Sequence, residues 1–396
     1  MLKPKVLHII DSFETGGTER QAIQLVRLQQ ASRRYRLHLA CLQKRGELLV
    51  EAERLCLGEI TEYPLNSFCD RNLVIQLRRC ESFLKEQRID VVHTHDFYTN
   101  IFGMTAARLA GVPARIASKR ETNGLLSPMQ KRVERYAYRL AHSVITNAGA
   151  VRTQLIAEGV RADKITTVYN GLDPQRIIPR LDLARETMLA MLKLPHETER
   201  QFVTIVANVQ HAVKDHPTFL RAAARVHKTV PEATFVIAGE GGLMNELRAF
   251  AEELGIERDT FFIGRCQRVA ELLSISNVCV LSSKAEGFSN SILEYMAAAR
   301  PVVVTDVGGA REAVIEGETG FIVRAGDDED MAERIITLLR DPKRASAMGN
   351  LGRLIVAEKF SCETQVERTS ELYERLLARP ATIVDPALKS LHRRRA

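Results

Sequence analysis

No stretch of the 396 residues approaches the eighteen or so consecutive apolar side chains of a membrane-spanning helix, so hydropathy offers no segment to cross a bilayer. The first apolar run, Val6 to Ile10, is cut off by Asp11; it is too short for the core of a signal peptide and reads as a strand. The seven cysteines are odd in number and scattered, with no CxxC and no Cys/His grouping. That argues against a disulfide framework or a zinc site and fits reduced packing residues in a cytosolic protein. No internal repeat stands out, and no nucleic-acid-binding motif is recognisable. The dense acidic run Asp327-Asp328-Glu329-Asp330 could be mistaken for a metal-binding D-x-D. It follows Gly326 and precedes the helical pattern Met331–Leu339, so it is better explained as a helix cap whose acids suit the helix dipole.

What is present is globular composition, 45% apolar and 27% charged, at a length that suits two domains of similar size. The net charge of +7 is unevenly placed. Residues 1–175 hold 26 Lys+Arg against 18 Asp+Glu, while the remainder holds 30 against 31. Basic residues cluster at Arg33-Arg34-Tyr35-Arg36, Arg78-Arg79, Lys119-Arg120 and Lys131-Arg132 to Arg139, with Tyr136 and Tyr138 among the last group. This asymmetry suits either a set of solvated helix faces or an anionic partner: a membrane surface, a phosphorylated acceptor or nucleic acid. Without a nucleic-acid motif, weak and salt-dependent peripheral contact with anionic membranes is the sharper expectation, which puts the protein in the cytoplasm or on the inner face of the cell membrane.

Short β-branched runs alternate with longer amphipathic stretches, the pattern of parallel βα units. In the first half strands are predicted at Val6–Ile10, Leu37–Leu42, Asp90–Thr94, Ala114–Ser118, Ser143–Thr146 and Ile165–Tyr169. In the second half they are predicted at Phe202–Ala207, Thr234–Ala238, Phe261–Gly264, Asn277–Ser282, Pro301–Thr305 and Phe321–Val323. The rhythm breaks at Asn170 to Arg200, where Gly171, Pro174, Pro179 and Pro195 mark a linker near 170–180, and a helix Leu181–Leu194 opens the second half. The expected organisation is an N-terminal Rossmann-like domain at 1–175 and a C-terminal Rossmann-like domain at 176–360. A helix at 361–378 is expected to pack back toward the first domain, followed by a basic tail at 379–396. In open α/β sheets ligands bind at the carboxyl ends of strands, so the chemistry belongs in the loops that follow them.

The strongest local signal is Ser282-Ser283-Lys284-Ala285-Glu286-Gly287-Phe288-Ser289-Asn290-Ser291-Ile292-Leu293-Glu294, between an apolar strand and a helix Ser291–Ala299. Backbone N–H groups of Gly287, Phe288, Ser289 and Asn290 at such a turn attract a phosphate by hydrogen bonding and helix dipole. Glu294, one turn into the helix, can reach a ribose, and Glu286 in the loop lies near whatever is attached beyond the phosphates. A glycosidase-like acid/base pair fits less well, since one carboxylate is already placed for ribose.

Glu286 and Glu294 match the E-x7-E motif of retaining GT-B glycosyltransferases, and the chain resembles glycosyltransferase family 4 along nearly its whole length. Further segments agree in order: Gly16-Gly17-Thr18-Glu19-Arg20, Asp90-Val91-Val92-His93-Thr94-His95-Asp96, Val168-Tyr169-Asn170-Gly171-Leu172-Asp173, Ala238-Gly239-Glu240-Gly241, and Pro301–Thr305 with Gly308, Gly309 and Glu312. The resemblance implies two facing Rossmann-like domains with a central cleft, donor binding in the second, acceptor binding in the first, retention of anomeric configuration and no metal or other cofactor. Protein groups must then neutralise the leaving diphosphate. Lys214 matches the family's phosphate-binding lysine, and Gly16 and Gly17 allow close backbone approach to the diphosphate.

Two departures stand out. The arginine that the family usually carries five or six residues before the lysine is missing from Asn208-Val209-Gln210-His211, leaving Arg265 as a candidate second clamp. The histidine usual after the strand Ala114–Ser118 is replaced by Lys119-Arg120-Glu121-Thr122-Asn123, so Arg120, or His95 with Asp96 from the neighbouring strand, is expected to serve. The reading is a retaining hexosyltransferase that takes a nucleotide-diphosphate sugar, UDP-linked by expectation, to a cell-envelope glycan or lipid-linked acceptor. A nucleotide-sugar epimerase of the same plan and a non-catalytic nucleotide-sugar-binding subunit are the alternatives.

Overall fold

In the computed structural model the described residues are 3–378, apart from 56, 66, 123–125, 180–182 and 198. The expected tail at 379–396, the first residues of the expected Leu181–Leu194 helix and Asn123 lie outside them. The first half runs β1 (Lys5–Ile10), α1 (Gly17–Ser32), β2 (Arg36–Cys41), α2 (Leu49–Arg54), β3 (Thr61–Glu62), α3 (Arg71–Gln87), β4 (Val91–Thr94), α4 (Phe97–Ala110), β5 (Ala114–Lys119), α5 (Pro128–Leu140), β6 (Ser143–Thr146), α6 (Gly149–Ala157) and β7 (Ile165–Thr167). The second runs α7 (Arg185–Leu192), β8 (Gln201–Val206), α8 (His216–Thr229), β9 (Ala233–Ala238), α9 (Met244–Glu253), β10 (Thr260–Gly264), α10 (Val269–Ile275), β11 (Val278–Leu281), α11 (Asn290–Ala297), β12 (Val302–Thr305), α12 (Ala310–Ala313), β13 (Gly320–Val323), α13 (Asp328–Arg340), α14 (Pro342–Lys359) and α15 (Cys362–Leu377).

The strands form two sheets, in the orders β3-β2-β1-β4-β5-β6-β7 and β10-β9-β8-β11-β12-β13, with every pairing parallel. Parallel strands are covered by helices on both faces, and the sequence shows it: every residue of β9, β11 and β12 is buried. All twelve predicted strands are present with ends shifted by at most two residues, whereas β3, a two-residue edge strand, left no pattern to read. Asp327 caps α13 by accepting from the Asp330 amide at 3.0 Å, and Asp328 pairs with Arg221 and Arg225.

The chain crosses between the sheets twice, and the two crossings touch. Leu172 donates its N–H to the Phe360 carbonyl at 2.9 Å and bridges Ser361. Gly171 is pressed so closely that a Cβ there would stand 2.8 Å from the Cys362 Cα. Around this point Tyr169, Phe288 and Phe360 pack their rings together. Past the second crossing, α15 lies on α1 and buries Leu372, Tyr373 and Leu376 in the core of the first sheet beside Val6, Ile10, Val91 and Ile116.

The basic clusters need two corrections. Tyr138 is fully packed under α5, not on its surface beside Tyr136, and Lys119 is buried in an ion pair with Glu134 at 3.0 Å.

Candidate active site

Loops that follow strands of the two sheets meet face to face. Arg120 follows β5, Asn147 follows β6, Asn170 follows β7, and opposite them lie Glu286 to Ser289 after β11 and Gly308 after β12. The backbones approach so closely that a Cβ on Gly287 would stand 1.9 Å from the Arg120 carbonyl oxygen. Thr122 donates its hydroxyl to the Glu286 carbonyl at 2.7 Å. Asn170 donates its carboxamide to the Phe288 carbonyl at 3.0 Å and to the Asn290 side chain at 2.9 Å. Glu312, from α12, accepts from the amides of Gly149 and Ala150 at 2.7 and 2.8 Å, so its carboxylate caps a helix of the opposite domain.

Within this junction Glu286 and Lys214 form an ion pair at 2.6 Å, and Ser283 donates its hydroxyl to the same carboxylate oxygen at 2.6 Å. Lys214 sits in a short turn after β8 that Ser282 and Lys284 fasten to the β11 loop through the Lys214 and Val213 carbonyls. The helix α11 begins at Asn290 with no side chain capping its first amides. Gly17 reaches the same place from the first domain: a Cβ there would be 3.5 Å from the Asn290 carboxamide, and Gly16 is the residue before α1.

Glu294 is withdrawn from water, which raises its pKa, while Arg176 and Arg20 pull it down. Neither arginine was assigned a role from sequence. Arg20 stands inside a quoted motif, but its approach to a carboxylate from the other domain has no linear signature. Arg265 pairs with Glu47 across the junction and lies 3.8 Å from Glu240, so its charge is engaged by carboxylates. Phe288 turns its ring into the aromatic packing at the crossing, and its carbonyl is held by Asn170. Ser289 precedes α11 and is buried.

On the first-domain side Arg120 donates to Asn170 at 3.0 Å, its Nε has no partner among the described residues, and burial lowers its pKa to about 10 against the pull of Glu19 and Asp96. Asp96, which caps α4, is pushed up to about 7 by burial and then by Asp11. His95 belongs to a stack with His8 and His93 whose ring nitrogens lie within 4.8 Å of one another. Such a trio could hold a cation, yet hydrogen bonds already occupy it: His8 bonds Gln29 at 2.9 Å and His95 at 3.0 Å, and His93 bonds Tyr373 at 2.7 Å and Ser118 at 2.9 Å. His8 Nδ1 and His95 Nε2 share one proton between them, and His95 Nδ1 is buried with no partner among the described residues. Burial holds all three imidazoles neutral, His8 down to about 4.

The profile of the family described as glycosyl transferases group 1 matches residues 190–354, and that of glycosyltransferase family 4 matches residues 15–176. The chain is 30% identical over 313 residues to the alpha-maltose-1-phosphate synthase of Mycolicibacterium smegmatis, covering 73% of this chain and 79% of that protein. The chain belongs to glycosyltransferase family 4. It is 26% identical over 305 residues to an Escherichia coli UDP-Gal:alpha-D-GlcNAc-diphosphoundecaprenol alpha-1,3-galactosyltransferase, covering 73% of this chain and 76% of that one. Among solved structures, Anabaena HepE in complex with UDP superposes with a TM-score of 0.82 at 21% identity, covering 94% of this chain and all of that chain. Sucrose-phosphate synthase from Thermosynechococcus elongatus gives 0.76 at 19% identity over 95% of this chain. The fold is GT-B, with two parallel-sheet domains whose strand-end loops meet at the junction.

Proposed function

We propose that this family 4 enzyme transfers a hexose from a UDP-linked donor to a cell-envelope glycan or lipid-linked acceptor, with retention of anomeric configuration. The observation that carries the reading is the Lys214–Glu286 pair at the mouth of the β11–α11 turn. It joins a cation suited to a diphosphate to a carboxylate suited to sugar hydroxyls, beside amides left open for phosphate. Glu294 takes the ribose, with Arg176 and Arg20 keeping its carboxylate ionised. Lys214 and the amides of Gly287 to Asn290 neutralise the charge that grows on the leaving diphosphate, and Gly16 and Gly17 let the first domain close over it. Arg120 faces the sugar and acceptor, with His95 buried nearby. The acceptor oxygen attacks on the face that the diphosphate leaves, and the departing phosphate oxygen takes its proton. Lys214 supplies the positive charge in this scheme, so no metal is needed.

Support for the donor comes from the HepE complexes with UDP and with UDP-glucose, and for the acceptor class from the diphosphoundecaprenol-dependent relative. A donor screen by thermal shift, followed by product analysis on envelope acceptors with the anomeric configuration read by NMR, tests it. Stabilisation by UDP-sugars and an α-product from an α-donor are expected. An inverted product, or turnover of donor to an epimer without acceptor, overturns it.

A further inference from the structure

Helices α3, α4 and α5 lie side by side on one face of the first sheet, α4 in the middle. Seven of the fourteen exposed large apolar side chains among the described residues are on these three helices: Val74, Ile75, Tyr98, Leu109, Met129, Val133 and Tyr136. On α5 the arrangement is regular. Met129, Val133 and Tyr136 are 66%, 36% and 57% exposed, and their spacing puts them in one stripe. Arg132, Arg135 and Arg139 are exposed along its flank. The opposite side of the helix is fixed inward by Ala137, Tyr138 and the buried Glu134–Lys119 pair. The only acid on α5 is therefore neutralised inside the protein, and the outer side is cationic and apolar together.

We infer that this α3–α4–α5 face, led by the Met129-Val133-Tyr136 stripe of α5, docks on an anionic lipid bilayer. The charge complementarity is local: the three helices carry nine Lys+Arg and three Asp+Glu, of which Glu134 is buried against Lys119 and Glu81 is paired with Lys85. Apolar side chains that enter the headgroup boundary, flanked by arginines that meet lipid phosphates, are what an interfacial helix presents. A partner protein of ordinary surface charge would not call for this excess. The orientation also serves the cleft. Tyr98 and Met129 stand at the amino ends of α4 and α5, which begin at the carboxyl ends of β4 and β5, so docking brings the loops with His95 and Arg120 toward the lipid surface. The docking gives the proposed transfer its place without depending on the donor or the acceptor.

The full chain contains no tryptophan, so Tyr136→Trp installs a single reporter. The wild type is expected to sediment with phosphatidylglycerol-containing vesicles and not with phosphatidylcholine ones, and to be released by high salt. Each arginine near an anionic surface contributes about fivefold in partitioning, so Arg132→Glu, Arg135→Glu and Arg139→Glu together should lower it at least a hundredfold. Met129→Ser, Val133→Ser and Tyr136→Ser together should lower it about tenfold while the melting temperature and the stabilisation by donor stay at wild-type levels. The Tyr136→Trp emission should shift to the blue on anionic vesicles alone. Equal sedimentation with both lipids, none with either, or sedimentation without an emission shift overturns the proposal. So does a concentration-dependent dimer that the serine variant abolishes, since the face would then belong to a second copy.

Discussion

In the proposed site Glu294 and Lys214 divide the donor between them, and each can be removed alone. Glu294→Ala is expected to weaken binding of the nucleotide sugar about tenfold to a hundredfold, the roughly 1.5–3 kcal/mol of a hydrogen bond to a charged group, with the melting temperature of the free protein unchanged or raised. A raised value would follow from relief of the carboxylate's burial, which already pushes its pKa up. Calorimetric titration measures the first effect, and unchanged affinity removes Glu294 from the site. Lys214→Ala strips both the phosphate charge and the partner of Glu286; loss of one preorganised charge of this kind costs about a hundredfold to a thousandfold in kcat. In the proposed scheme that lysine supplies the charge, so wild-type activity is expected to survive EDTA. Loss with EDTA and rescue by Mn²⁺ would assign the neutralising role to a metal. Glu286 and Glu294 were legible because they are close in sequence and flank a strand-to-helix turn, whereas Lys214, 72 residues before Glu286, was legible only through the family resemblance. Arg20 and Arg176 were not, since they meet Glu294 only through tertiary folding.

Among elements, β1, β4 and the start of α4 hold a pH-sensitive assembly. His8, pulled down to about 4 by burial, binds a proton in the unfolded chain throughout the range between that value and its ordinary 6.5, but not in the folded one. Stability from this group is thus complete above pH 6.5 and falls as pH drops to about 4, by roughly 3 kcal/mol at one pKa unit per 1.36 kcal/mol. Asp96 works in the opposite sense: held at about 7, it favours the fold at acid pH and loses that contribution as pH rises through 7. Melting temperatures from pH 7 to 4 for wild type and His8→Gln separate the two. The variant, which lacks the imidazole, should lose less stability on acidification; parallel curves would show that His8 is not what acid attacks. The strands that carry these residues were readable from β-branched runs buried on both faces. The helix surfaces were readable only in part: Tyr136 and Tyr138 are two residues apart, which on a helix turns them about 200° from each other, and that phase puts one in water and the other in the core.

For the whole molecule, Glu312 is the clearest tie between domains, a carboxylate of one capping α6 of the other. Glu312→Ala should lower the melting temperature, increase the radius of gyration in small-angle scattering and raise KM for the donor, with kcat at saturation less affected. A scattering curve and KM identical to wild type would mean that the cap does not govern closure. Domain number and fold were legible from the repeated βα rhythm and the Pro/Gly-rich break after Asn170. The return of the last helix toward the first domain was expected, but not which core residues it covers, because nothing in α15 names its individual partners. That helix has a consequence for how the protein is made. Tyr373 reaches His93, and Leu372 and Leu376 complete the core around Val6 and Ile10, although some 280 residues separate the two ends of the Tyr373–His93 contact. Of these two domains, the one made earlier is therefore the one finished later. Throughout synthesis of the second domain it waits with its histidine stack and the α15-facing side of α1 uncovered, and only after residue 377 has cleared the exit tunnel can both halves lock together.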